Sequence, residues 1–309
     1  MDAESPSADT RRDEQSRERS SVDLLKHAAD LRALYERDPH RGDAKELRRQ
    51  EAVALLQAGF AGDETQKVRR VSLARELMAD KSLDAKSRCE IAAYAGNLEV
   101  HLTTGLTLEQ RLDQYEIVAR RLAREFPDVE ANFEALLQIA KARSTGGGLR
   151  LARELADMPV PPRLKRQAEE HAGRCELVGK LLGEILGSSA GGEELFSQAA
   201  GQSVILYSWS ASIPATFEIA QQVASAAPAG TVVFGVNMDV DVATAEEAVR
   251  SHRLPGKQIY SVATVGGVAC SALRITEPGL IYSTDEAGVI VSISAQDAWS
   301  RFVARRQSP

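Results

Sequence analysis

The hydrophobic period of this chain changes partway along, and that change limits its fold more than any other feature. From Ser21 to about Val178 apolar residues return every three or four positions, whereas beyond Gly187 they gather in short β-branched runs. A helical period does not settle as a strand, so two kinds of architecture must follow one another. The first is plain at Leu108, Leu112, Tyr115, Ala119, Leu122 and Phe126, which share one helix face. Thr107 and, three residues on, Gln110 form a capping box at its start, and Pro127 closes it. Leu24, Ala28, Leu31 and Tyr35 mark a similar face upstream. Aromatic residues make up only 5% of the chain, so these helices must pack through Ala and Leu.

The string Ala-Arg-x-Leu occurs at Ala74–Leu77, Ala119–Leu122 and Ala152–Leu155, each time followed by a break and a second helical stretch. Spacings of roughly 35–45 residues suit stacked helix hairpins, none of which buries its apolar face alone. An irregular bundle would share this composition. The expectation for residues 21–178 is an all-α, helical-hairpin, repeat-like domain. Residues 1–20 alternate charges from Arg11 to Arg19 without an apolar period and are expected to form a disordered tail.

In the second part, Val204–Trp209, Thr231–Val236, Leu280–Tyr282 and Val289–Val291 read as buried strands. Helices are predicted at about 214–226, 243–253 and 266–273, with a last one carrying Trp299, Phe302 and Val303. Thr244 with Glu247, and Ser294 with Asp297, have capping-box spacing. Strands alternating with helices predict an α/β domain over residues 179–309, a central mixed sheet flanked by helices.

Composition removes several function classes. The 38 basic and 44 acidic residues leave a net charge of −6, without the basic footprint of a nucleic-acid binder. No apolar run reaches the roughly 18 residues of a membrane span. Cys89, Cys175 and Cys270 lie too far apart for a disulfide framework or zinc knuckle, and the five histidines show no ligand spacing. Gly146-Gly147-Gly148 lacks the Lys-Ser/Thr of a phosphate loop and reads as a helix C-cap and hinge. Asp239 and Asp241, at a strand end, read as partners of the next helix's N-terminal dipole rather than as cation ligands. No cofactor, metal or nucleic acid is expected. Unpaired thiols and the lack of an apolar leader place the expectation in the cytoplasm.

The order of elements in the second part resembles the thioredoxin fold. Val204-Ile-Leu-Tyr-Ser-Trp209-Ser-Ala-Ser-Ile-Pro-Ala-Thr-Phe-Glu218 is similar to the first core strand and active-site helix of TlpA/ResA-like thiol–disulfide oxidoreductases, the redoxin branch, which read Trp-Cys-x-Pro-Cys there. Phe234-Gly-Val-Asn-Met-Asp239 is similar to that family's second strand, and Ile275-Thr-Glu-Pro278-Gly-Leu-Ile-Tyr282 to its cis-proline strand. The resemblance covers about residues 180–306. It implies a periplasmic or envelope location, a cis bond before Pro278, and a substrate-binding edge beside it.

The cysteines are missing. Placing Pro214 on the family proline puts Ser212 and Ala215 at the thiol positions; a gapless match puts Ile213 and Thr216 there. Disulfide exchange needs a thiolate to attack and a second thiol to resolve, and neither match supplies one. The expectation is therefore a redox-inactive, non-catalytic protein-interaction or scaffolding module. It would bind a protein or peptide through its helical domain and a cis-proline groove of Ser212, Ile213, Pro214, Glu277 and Pro278. The alternative is a thioredoxin-family oxidoreductase using Cys270, the one thiol of that domain.

Overall fold

A computed structural model describes residues 8–143, 145–186, 199, 201–260 and 265–295. It separates into two compact units, Met1–Leu136 and Leu137–Pro309. The first is helical: α1 (Ala8–Arg37), α2 (Ala44–Phe60), α3 (Lys67–Ala79), α4 (Ala85–Leu102), α5 (Leu108–Glu125) and the start of α6 (Glu130–Ala142). As the scarcity of aromatics requires, its core is Ala and Leu: Ala28, Ala52, Leu55, Leu56, Leu73 and Leu77 pack with Ile91 and Leu98. The predicted capping box at Thr107 is formed. In all three Ala-Arg-x-Leu strings the Ala and Leu are buried, on α3, α5 and α7 (Thr145–Asp157).

The helix α1 begins at Ala8, within the charged segment. The two compact units divide inside α6, between Leu136 and Leu137. The second unit therefore takes in α7 and α8 (Pro162–Cys175) as well as the sheet. Long-range ties hold them to it, among them Arg174 Nη1 to Thr276 Oγ1 at 3.1 Å.

The second unit continues with α9 (Leu182–Leu186), β1 (Val204–Trp209), α10 (Ala215–Ala226), β2 (Val232–Asn237), α11 (Val242–His252), β3 (Lys257–Tyr260), α12 (Val265–Ala272), β4 (Leu280–Thr284) and β5 (Ile290–Ala295). The five strands form one sheet in the order β3-β2-β1-β4-β5. β1 runs parallel to β2, and β2 to β3, while β4 is antiparallel to both β1 and β5. Alternate side chains of β1 enter opposite cores. Val204 and Leu206 join Phe234, Val236, Leu273 and Tyr282, whereas Ile205, Tyr207 and Trp209 join Ile219, Ala220 and Val223 of α10. Helical layers on both faces make β1 the most enclosed strand, with all six residues buried. This is the mixed, thioredoxin-like α/β sheet expected from the sequence.

Strand β3 was not among the predicted strands. Three helix starts also differ. The cap of α11 is Asp241, which accepts from Ala243 N–H, not Thr244. Gly146–Gly148 open α7 rather than closing a helix. A Cβ at Gly148 would stand 2.6 Å from the Ala140 carbonyl oxygen, so glycine permits that approach. Ser294 lies in β5, and the predicted last helix with Asp297, Trp299, Phe302 and Val303 falls outside the described residues.

Candidate functional site

The C-terminal end of a parallel strand leaves its last backbone groups open, and the loop leading to the next helix is where an α/β sheet exposes chemistry. Here β1 ends at Trp209, whose indole is wholly buried and donates to Gln258 Oε1 at 2.9 Å. The chain then turns through Ser210–Ile213 into α10, with Pro214 at the N-cap in a right-handed helical conformation. Proline has no N–H to waste there. Thr216 is buried, and its hydroxyl donates to the Ile213 carbonyl at 2.7 Å. Ser212, Pro214 and Ala215 are exposed, as is Ile213 at 43%.

A carboxylate from β2's end ties this loop down. Asp239 Oδ1 accepts from Ser210 Oγ at 2.5 Å, and Oδ2 from the Ala211 N–H at 2.6 Å and the Asn237 amide at 2.7 Å. Ser210 Oγ also lies 2.7 Å from Ser212 Oγ and accepts from the Ser212 N–H at 3.2 Å. Burial pushes the Asp239 carboxyl upward. The donors from Ala211, Ser210, Asn237 and Ser212 outweigh it and hold the group below the usual carboxylate range. Sequence reasoning placed Asp239 at a helix dipole; the structure gives that role to Asp241 and makes Asp239 the anchor of the β1–α10 loop. Among the described residues no group of His, Cys, Asp or Glu could hold a metal ion.

The turn before β4 reaches the neighbouring position on the sheet. Gly279 N–H donates to the Ser208 carbonyl at 2.8 Å, Leu280 N–H donates to Ser208 Oγ at 2.9 Å, and Ser208 Oγ lies 3.1 Å from the Glu277 carbonyl. The expected cis bond is absent: no peptide bond among the described residues is cis. Gly279 adopts φ +92°, and proline followed by a left-handed glycine turns the chain with a trans bond before the proline. Nor does Glu277 present a free carboxylate to a groove. Its Oε1 is 3.3 Å from Lys141 Nζ and 3.6 Å from Arg174 Nη2. The structure thus brings Ser212, Ile213 and Pro214 together in one loop, and turns the Glu277 side chain toward α6 and α8.

The thiols stand elsewhere. Burial pushes all three upward, away from the thiolate form. Cys89 donates to Asn132 Oδ1, and Cys270 packs half-buried on α12 against the core of the sheet. Cys175 Sγ lies 3.6 Å from His171 Nε2, but that nitrogen also faces the Ala140 carbonyl at 3.2 Å and must carry its proton there. A donor of that kind does not deprotonate a thiol. Sequence reasoning missed Ser210, Asn237 and Thr216 as loop anchors, and it missed Lys141 and Arg174 as partners of Glu277.

No family model and no curated protein matches this chain. Among solved structures, it is similar to a secreted disulfide oxidoreductase of Mycobacterium tuberculosis homologous to Escherichia coli DsbE, with 17% identity over 35% of this chain and 85% of that one, at a TM-score of 0.29. The thioredoxin domain of a thiol-disulfide oxidoreductase from Bacteroides vulgatus shares 16% identity over 35% and 83%, also at 0.29. M. tuberculosis DsbF shares 20% over 37% and 84%, again at 0.29. No helix among the described residues is long and apolar enough to cross a membrane.

Proposed function

We propose that the α/β unit is a thioredoxin-like binding module of the TlpA/ResA-like branch whose β1–α10 loop does not exchange disulfides. The observation that carries this reading is the loop itself. From Ser210 to Thr216 it holds no sulfur, and its hydroxyls and N–H groups close on Asp239. Disulfide exchange proceeds through a thiolate, favoured at a helix N-terminus and resolved by a second thiol. A serine hydroxyl bound to a carboxylate offers neither the sulfur nor the acidity.

What remains is a surface. Ile213, 43% exposed, and Val240, 87% exposed, flank the knot made by Ser210, Ser212 and Asp239. A rigid polar loop with apolar residues on both sides suits a peptide that lays small apolar side chains across it. The helical unit adds further surface for protein partners. A selection of displayed peptides on the intact chain tests this: wild type should enrich apolar sequences, and Ile213→Asp with Val240→Asp should lose them. Failure to enrich, or enrichment untouched by both substitutions, contradicts the reading.

A further inference from the structure

We infer that the second unit carries an oxyanion-binding cleft, separate from the β1–α10 loop, formed by Lys141, Arg166 and Arg174 together with Glu170, Thr276 and Glu277. The cleft encloses about 340 Å³. That volume lies near the lower end of small-molecule sites, which run from roughly 300 to 1,000 Å³. Three cationic side chains line it against two carboxylates, leaving one positive charge in surplus.

Arg174 is the key residue of this cleft. Its side chain is only 2% exposed, so its charge is held away from water. Yet among the described residues only Nη1 is hydrogen-bonded, to Thr276 Oγ1 at 3.1 Å and to the Arg274 carbonyl at 3.5 Å. Among them Nε finds no partner, and Nη2 reaches Glu277 only at 3.6 Å, too far for a hydrogen bond. A buried guanidinium is costly unless an oxyanion faces it closely, and its planar fork matches a carboxylate or phosphate through parallel bonds.

Glu277 fills that role incompletely. Its carboxylate is 44% exposed and is shared with Lys141 at 3.3 Å, so it is a displaceable resident anion. Glu170 is already engaged by Thr276 Oγ1 at 3.2 Å and faces Arg166 at 3.8 Å. The positive field is felt next door: burial first, then Arg174, lowers the His171 imidazole. The ligand is a small molecule bearing a carboxylate or a phosphate group.

Thermal unfolding of the full chain, with succinate or inorganic phosphate raised against sodium chloride at constant ionic strength, tests the cleft by linkage. A saturable rise in Tm with either anion is expected, and the anion that gives the larger rise identifies the chemistry. Glu277→Gln removes the resident charge and should tighten apparent affinity, and Lys141→Gln should weaken it, each by about fivefold. Glu277 is half exposed, and Lys141→Gln keeps most of the length of a side chain that is 17% exposed, so the fold should survive, which circular dichroism checks. Stabilisation no greater than that of chloride, or stabilisation unchanged in both variants, overturns the inference.

Discussion

Asp239 and Arg174 are both ionised groups of the α/β unit, and their surroundings treat them in opposite ways. Asp239 sits half-buried at the end of β2 and receives short hydrogen bonds from a hydroxyl, a backbone N–H and an amide. Arg174 is buried far more deeply, yet one of its nitrogens has no partner and another meets its carboxylate only at a distance. A charge whose bonding capacity is met inside the chain acts as a structural tie. A buried charge left short of partners favours any oxyanion brought close to it. The thioredoxin-like loop therefore belongs to the fold, and the cleft beside α8 is the place for a small ligand.

The largest expected effect concerns the positive region. His171 is held at about 4 by burial and by Arg174, against an ordinary value of 6.5. A lowered folded value means that the unfolded chain binds the extra proton between those limits. The stabilisation is complete above pH 6.5 and falls, by up to about 3 kcal/mol, as pH drops toward 4. Urea unfolding across that range should show the slope, and His171→Gln should flatten it. A slope unchanged in the variant would remove the positive field from the comparison.

Asp239→Ala comes next and should cost about 2 kcal/mol by chemical denaturation, since it strips several charge-assisted hydrogen bonds from the loop. Its folded value is also lowered, so this contribution is full above the ordinary carboxylate range and lost as pH falls through the depressed value. Arg174→Met should change stability by less than about 1 kcal/mol, because an apolar replacement relieves a charge that is poorly partnered. If Arg174→Met costs more than Asp239→Ala, the contrast between the two groups fails. The smallest effect is Ser212→Ala, within about 0.5 kcal/mol, since its exposed hydroxyl only touches that of Ser210.

Much of this fold was legible before any coordinates. β1 and β2 are β-branched runs bounded by turn residues, and the helices of the first unit follow a three-to-four period. Strand β3 escaped because it is a four-residue edge strand, Lys257–Tyr260, with only Ile259 buried. Edge strands carry little of the apolar pattern that marks central ones. The start of α1 at Ala8 escaped for a related reason: it carries the helix of Leu24, Ala28, Leu31 and Tyr35 back through a charged stretch that has no apolar period to mark it.

The site divided along the same line. That residues 210–216 form a loop entering a helix follows from local sequence. That Asp239 closes on Ser210 from 29 residues away, or that Glu277 turns to Lys141 across 136, does not, because pairings of that kind are made by the packing of elements distant in sequence. The Pro278 bond shows a resemblance carried too far. The neighbouring Gly279, free to take a positive φ, sets the turn with a trans bond.

The central claim is that this thioredoxin-like unit performs no disulfide exchange. Reduction of insulin disulfides by dithiothreitol, followed as turbidity with wild-type chain and with Cys270→Ser, tests it most directly. The account predicts that neither protein accelerates precipitation beyond the buffer control. Acceleration by wild type that Cys270→Ser abolishes would contradict it, and would assign the chemistry to the half-buried thiol of α12.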